Sequence, residues 1–195
     1  MNIQRPQSKQ PIPENAICVF KGKVFDIYQW QQQMYDGTTK TFEKIKRPDT
    51  VVVFPVLDDG SILLTKQEQP GKESFIGACG GRVEENENVL NSAKREFLEE
   101  TGYEASEYVL WKAEHPASKI DWVVYFFIAK GCKKVADQEL DGGEKIDLKI
   151  VSFDEFLQIG RDERFMEKEI IPDLYEALLD PIKYTKLKQL FTPRK

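Results

Sequence analysis

The chain has 195 residues, 41% hydrophobic and 31% charged, with a formal net charge of −5. That is enough for one full core and a small extra layer, and it excludes the composition of a disordered or fibrous chain. Acids and bases are interspersed, so the basic footprint of a nucleic-acid binder is absent and no nucleic acid is expected as a partner.

Residues 1–15 are polar and proline-bearing, without the apolar stretch of a signal peptide, and read as a loose arm. From Ala16 to about Arg47 short β-prone runs follow (AICVF, KVFDIYQWQ, TKTFEKIKR), the last two joined by the Asp-Gly signal of YDGTTK. They predict a small antiparallel sheet, which with the arm makes up residues 1–47, ahead of a main domain, residues 48–195. TVVVFPVL and SILLTKQ flank DDG and predict a stronger hairpin. SFIGACGGRV reads as a short strand breaking into a glycine turn.

A helix is expected from about Glu87 to Thr101, with Asn86 or Asn88 as its cap and Gly102 stopping it in a left-handed turn. Strands follow at EYVLWKAE and DWVVYFFIAKG, then an acidic loop, DQELDGGEK, and a strand, IDLKIVSF. The longest apolar run, WVVYFFIA, is far too short to span a membrane. SFDEFLQIG predicts a helix capped by Ser152 or Asp154, and the tail reads as helical from about Asp162, broken at Pro172 and Pro181. The basic stretch IKYTKLKQLFTPRK reads as a solvated helical end. Three cysteines, Cys18, Cys79 and Cys132, are widely spaced with no CxxC pair, so neither a disulfide framework nor a zinc site is suggested, and a reducing cytoplasm fits. Strands grouped around one central helix suit an α+β fold with a mixed sheet better than a doubly wound one.

The central helix poses the functional question. At about 100° per residue, Val89, Leu90, Ala93 and Phe97 share one side, which packs on the core. Glu96, Glu99 and Glu100 stand at i, i+3 and i+4, and Glu100 projects close to the apolar stripe. Most glutamate clusters on helices are solvated faces. Here few basic residues interleave, only Lys94 and Arg95 lying nearby, and two glycines precede the helix, where backbone can approach a ligand closely. Half-buried carboxylates in such number want a compensating cation, since an unpaired buried one costs several kcal/mol. Oxygen donors alone point to a hard ion, Mg²⁺ or Mn²⁺, and such ions commonly bridge carboxylates to substrate phosphates.

The spacing Gly81, five residues, Glu87, seven residues, then Arg95-Glu96-Phe97-Leu98-Glu99-Glu100-Thr101-Gly102-Tyr103 resembles the Nudix box of the Nudix hydrolase family over all 23 of its positions. Phe97 and Tyr103 stand where that family more often has aliphatic residues. The resemblance implies an α/β/α sandwich that hydrolyses a diphosphate linked to another moiety. It implies Mg²⁺ or Mn²⁺ held by Glu96 and Glu100, by Glu99 ligating or holding the cluster, and by the carbonyl of Gly80. Glu87 and Arg95 are implied to pair and orient the loop against the helix.

Outside the box the chain resembles the branch that cleaves ADP-ribose and nucleoside diphosphate sugars, in which an N-terminal β layer serves dimerisation. By that likeness Phe42 is the adenine-side aromatic and Arg47 the terminal-phosphate arginine. Pro116 and Asp121 match the branch's proline and acid, with Pro116 two residues early. Gln69 stands where the branch usually has an arginine, which removes a bidentate phosphate contact. Glu144 matches the acid before the last core strand and is the implied general base. Gly142 replaces a second acid there, leaving Glu139 or Asp141 as substitutes, and the paired glycines suggest a loop that closes over substrate. His115 is expected on a pocket wall or surface. Trp30, Trp111 and Trp122 are expected in packing, with Trp30 or Tyr28 able to stack on a base. A triphosphate or dinucleotide hydrolase, and a sensor that binds nucleotides without cleaving them, are the competing readings.

Overall fold

The computed structural model describes residues 3–193. Met1 and Asn2 of the arm, and Arg194 and Lys195 at the end of the basic stretch, lie outside the described residues. The strands are β1 Ile17–Lys21, β2 Asp26–Gln33, β3 Thr39–Lys46, β4 Thr50–Val56, β5 Ile62–Gln69, β6 Lys72–Gly77 and β7 Cys79–Arg82. Helix α1 spans Val89–Thr101, and β8 Tyr103–Glu114, β9 Ile120–Asp121, β10 Val124–Lys134 and β11 Lys145–Val151 follow. The chain closes with α2 Phe153–Gln158, α3 Ile171–Leu179 and α4 Pro181–Leu190.

A mixed seven-stranded sheet runs β11-β5-β4-β10-β8, with β6 added on β5 and β7 on β4. β10 pairs β4 in parallel while β8, β11, β6 and β7 pair antiparallel. Period-two alternation sorts β4 onto two cores. Val51 and Val53 face α1 with Ala93, Phe97, Tyr125 and Phe127. Val52, Phe54 and Val56 face the other way, against Phe156, Leu157, Leu174, Leu187 and Phe191 of the C-terminal helices. The result is an α/β/α sandwich within an α+β chain, as the sequence led one to expect.

The expected hairpin of β4 and β5 is real at its turn, where Leu57 N–H donates to the Ser61 carbonyl at 2.9 Å, but the two strands pair only at Val56 and Ile62. Beyond that point they diverge. The chain passes from β6, paired with β5, through Ala78 into β7, paired with β4, and fills the wedge between them. Gly80 and Gly81 therefore lie in a strand rather than in a glycine turn.

The N-terminal layer is a four-stranded sheet, β1-β2-β3-β9, antiparallel except for the β3–β9 pair. The arm is not loose. Arg5 bridges Asp49 at 2.8 Å and Asp121 at 3.0 Å, and buried Lys44 donates to Ser8 Oγ and the Gln10 carbonyl. His115 meets the Pro6 carbonyl at 3.1 Å through a ring nitrogen. Enclosing the Lys44 ammonium requires such oxygen partners, and the arm supplies them.

The tail also departs from expectation. Residues 162–165 form a turn, Phe165 N–H donating to the Asp162 carbonyl at 3.0 Å, with Phe165 bridging Ile76 of β6, and helical structure resumes only at Lys168. Pro172 and Pro181 open α3 and α4 instead of interrupting a helix, positions where proline lacks no useful N–H. α2 is held by a full capping box, Ser152 and Glu155 exchanging side-chain-to-backbone hydrogen bonds. Ser152→Ala should cost about 1 kcal/mol in a urea melt, because α2 seats Phe153, Phe156 and Leu157 in the core. No helix among the described residues is long and apolar enough to cross a membrane, and all three cysteines are free.

Candidate active site

α1 begins at Asn88, whose side chain accepts from Asn91 N–H, and ends at left-handed Gly102, whose N–H reaches the Leu98 carbonyl. Asn86 is not the cap; it sits just before it with a positive φ of 67°. The last turn of α1 carries Glu99 and Glu100 and no basic residue, so two carboxylates add to the negative end of the helix dipole. Glu100 is 6% exposed, as its place beside the apolar stripe requires. One carboxylate oxygen accepts from Gly80 N–H at 2.9 Å. Burial above all, then the neighbouring Glu96 and Glu144, push Glu100 up to about 9. Burial raises Glu96 as well, opposed by Arg95.

The two box glycines have steric reasons. A side chain at Gly80 would overlap the Val51 carbonyl across the ladder, and one at Gly81 would overlap the Glu96 carboxylate. Backbone and carboxylates thus meet without intervening atoms. Arg95 is the hub of the surrounding charge. Its Nη2 bonds Glu87 at 3.0 Å and the Arg82 carbonyl at 3.2 Å, while its Nη1 bonds Glu96 at 2.8 Å and Glu99 at 3.1 Å. Glu87, also bonded by Ser92, is held below the usual carboxylate range, first by Arg95. The Arg95–Glu87 pair ties the loop after β7 to α1.

A cleft of about 530 Å³ opens over this surface. Gly80, Gly81, Glu96, Glu99 and Glu100 form one wall, Glu139, Asp141 and Glu144 another, and Gln69, Arg82 and Arg95 also line it. The donor set fits a hard divalent cation: oxygens only, one carboxylate buried and its proton affinity raised by that burial, at a helix C-terminus. Among the described residues no three acids stand arranged as a ready ligand cluster, because Arg95 holds Glu96 and Glu99. A cation held by Glu96, Glu99 and Glu100 would compete with Arg95 for the first two carboxylates.

The remaining predicted residues are more dispersed. Arg47 lies against Trp122, its guanidinium carbon 4.5 Å from the ring centroid, with Phe25 beyond at 5.7 Å. Its buried Nε has no partner among the described residues, and burial and then Arg82 lower its proton affinity. Phe42 is elsewhere, in a hollow with Ile27, Lys44 and Lys119, its ring 6.1 Å from buried Trp30. Asp121 is engaged by Arg5, and Pro116 lies between β8 and β9. None of Arg47, Phe42, Pro116 or Asp121 lines the acidic cleft.

Three polar groups escaped the sequence reading. Arg82 lines the cleft and could have been suspected as the first cation after the glycine pair. Gln138 bonds the end of α1 and gave no signal. Glu167 gave none either. Its carboxylate is enclosed behind Gly77, accepts from Ala78 N–H, is pushed up to about 8 by burial, and raises Glu100 in turn.

This fold and this cleft define an acid-lined hydrolase of the phosphoanhydride type. The NUDIX domain model matches residues 46–174, and the chain belongs to that family; it is a Nudix pyrophosphohydrolase. It is 28% identical over 171 residues to a methanol dehydrogenase activator of Bacillus methanolicus, covering 85% of this chain and 92% of that one. It is 28% identical over 180 residues to an ADP-ribose pyrophosphatase of Bacillus subtilis (strain 168), covering 91% and 93%. A crystal structure of an ADP compounds hydrolase superposes with a TM-score of 0.69 at 20% identity, covering 90% of this chain and 93% of that one.

Proposed function

We propose that this enzyme hydrolyses the diphosphate of ADP-ribose or a nucleoside diphosphate sugar, releasing a nucleoside monophosphate and a sugar phosphate. The observation that carries it is the buried Glu100, set among Glu96, Glu99 and Glu144 over a glycine strand in one cleft. The near full-length likeness to an ADP-ribose pyrophosphatase supports the substrate class. Nudix hydrolases generally use a divalent metal, and Mg²⁺, or Mn²⁺, fits the all-oxygen donor set best. When bound on Glu96, Glu99, Glu100 and the Gly80 carbonyl, it would polarise the phosphoryl oxygens and acidify a water. Glu144 is the general base that takes the water's proton, with Glu139 and Asp141 the nearest substitutes on the same wall. The loop of Gly142 and Gly143 closes over the substrate.

Arg82 is close enough to add to the effect of burial in depressing Arg47, and among the described residues neither guanidinium is hydrogen-bonded to a carboxylate, so together they suit an anion. They would compensate for Gln69, which offers the diphosphate no guanidinium. Arg47→Ala should raise KM about 10-fold and leave kcat within a factor of two, as loss of a contact made equally in ground and transition states does. Phe42, Pro116 and Asp121 belong to the substrate's far side, reached through the N-terminal layer.

The N-terminal layer, whose sheet also takes in β9 of the main domain, is the homodimer contact. Its exposed Ile17, Val19, Phe20 and Phe25 form an apolar edge that a second copy would cover. An exposed free Cys18 suits the cytoplasm. One assay with magnesium tests the substrate: ADP-ribose, nucleoside diphosphate sugars, NADH, dinucleoside polyphosphates and triphosphates, with product analysis. Preferred cleavage of ADP-ribose or a nucleotide sugar is expected. A preference for triphosphates overturns the assignment, and binding without phosphate ester release leaves a sensor.

A further inference from the structure

The last carbonyls of a helix have no partners within it and must find others. In α1 the Leu98 carbonyl accepts from Gly102 N–H, the Glu99 carbonyl from Glu139 N–H at 2.8 Å, and the Glu100 carbonyl from Gln138 Nε2 at 2.6 Å. Two of these three caps thus come from the start of the acidic loop, immediately ahead of the wall formed by Glu139, Asp141 and Glu144. Gln138 makes a second bond with the same nitrogen, to the Ile146 carbonyl in β11 at 3.1 Å. Ile146 lies just past Glu144, so the amide closes the neck of the loop. Within it, Glu144 N–H bonds the Asp141 carbonyl at 2.9 Å.

We infer that Gln138 is a positioning residue, which locks the loop carrying the general base to the helix carrying the metal-ligating glutamates. The inference rests on the proposed role of that loop. Its chemistry is specific to an amide. Both partners are carbonyl oxygens, so the group must donate two hydrogen bonds and carry no negative charge; glutamine does so and ionised glutamate cannot. The Glu100 main chain is anchored through Gln138 while its side chain is anchored by Gly80, so helix, glycine strand and loop meet at one residue. Without the amide, the loop keeps its attachment through Glu139 N–H but loses its neck. The base then samples more positions relative to a substrate bound at the unchanged acidic wall. Misplacement by an ångström is enough to slow a reaction substantially.

The test is steady-state kinetics on Gln138→Met, which keeps length without donors, and on Gln138→Glu, each beside the wild type with saturating magnesium. Gln138→Met should lose 10- to 100-fold in kcat with KM changed by less than threefold. Gln138→Glu should be as slow at pH 8, and its deficit relative to wild type should shrink as pH is lowered, because the protonated carboxyl regains one donor. A general loss of folding would not give that pH-dependent recovery, and Gln138→Glu reports it even where Gln138→Met folds poorly. Wild-type kcat in Gln138→Met, a defect confined to KM, or a Gln138→Glu deficit independent of pH overturns the inference. Failure of the substrate reading would show differently, as a wild type that cleaves no diphosphate in the same assay.

Discussion

Glu100→Gln should lower turnover at saturating magnesium by about 10³-fold, close to 4 kcal/mol of transition-state stabilisation. The substitution is nearly isosteric and keeps an oxygen for Gly80 N–H, so the fold is retained and only charge is lost. The same change should make the metal-free protein more stable. Glu100 is an acid whose folded pKa, about 9, lies above its ordinary value, so between those limits the folded state holds a proton that the unfolded state has released. Stability then falls as pH rises through that window and the loss is complete above the folded value. In EDTA the wild type should melt progressively lower from pH 5 to pH 9, and Glu100→Gln should flatten that slope, gaining on the order of 1–2 kcal/mol at pH 8. Magnesium should restore the wild type more at pH 8 than at pH 6, and the variant little at either. Near-normal turnover in the variant would remove Glu100 from the metal set.

The acid cluster was legible because it depends on local pattern: the α1 wheel puts Glu100 close to the apolar stripe of Val89, Leu90, Ala93 and Phe97 before any coordinate is known. The three layers were implied by the resemblance of the box, whereas the sorting of Val51 to Val56 onto two cores is hidden within a continuous apolar run. What could not be read depends on contacts between residues far apart in sequence. Nothing near Arg5 says that it pairs Asp49 and Asp121, so the arm looks loose until the sheet brings those acids together. The glycine pair reads as a turn because glycine is a turn former, whereas here it is selected by the Val51 carbonyl and the Glu96 carboxylate closing on it from two sides. Residues 162–167 read as helix by composition, yet a turn at 162–165 brings Phe165 into the core beside Ile76. Gln138 is an ordinary loop glutamine until the end of α1 is found to need its amide.

Glu144→Gln should reduce kcat about 10²–10³-fold and remove the acidic limb from the pH profile of kcat/KM, the two marks of a lost general base. The position supports both. Glu144 faces Glu96 and Glu100 across the cleft and raises each of them, so its carboxylate lies within electrostatic reach of the acidic wall. Metal affinity should fall far less than in Glu100→Gln, since Glu144 is partly exposed and is not buried in the helix–strand contact. Glu139→Gln and Asp141→Asn are the controls, because both acids line the same wall and Gly142 leaves no other candidate between Asp141 and Glu144. If the acidic limb persists in Glu144→Gln and vanishes in Glu139→Gln, the base is Glu139. That result would be compatible with the loop anchor, since Glu139 N–H is itself bonded to the end of α1. If the limb persists in all three, the proton is taken by a group outside this loop. The pH profile therefore discriminates among the acids where a simple activity loss could not, since Glu144→Gln could also slow the enzyme by changing the field at Glu100.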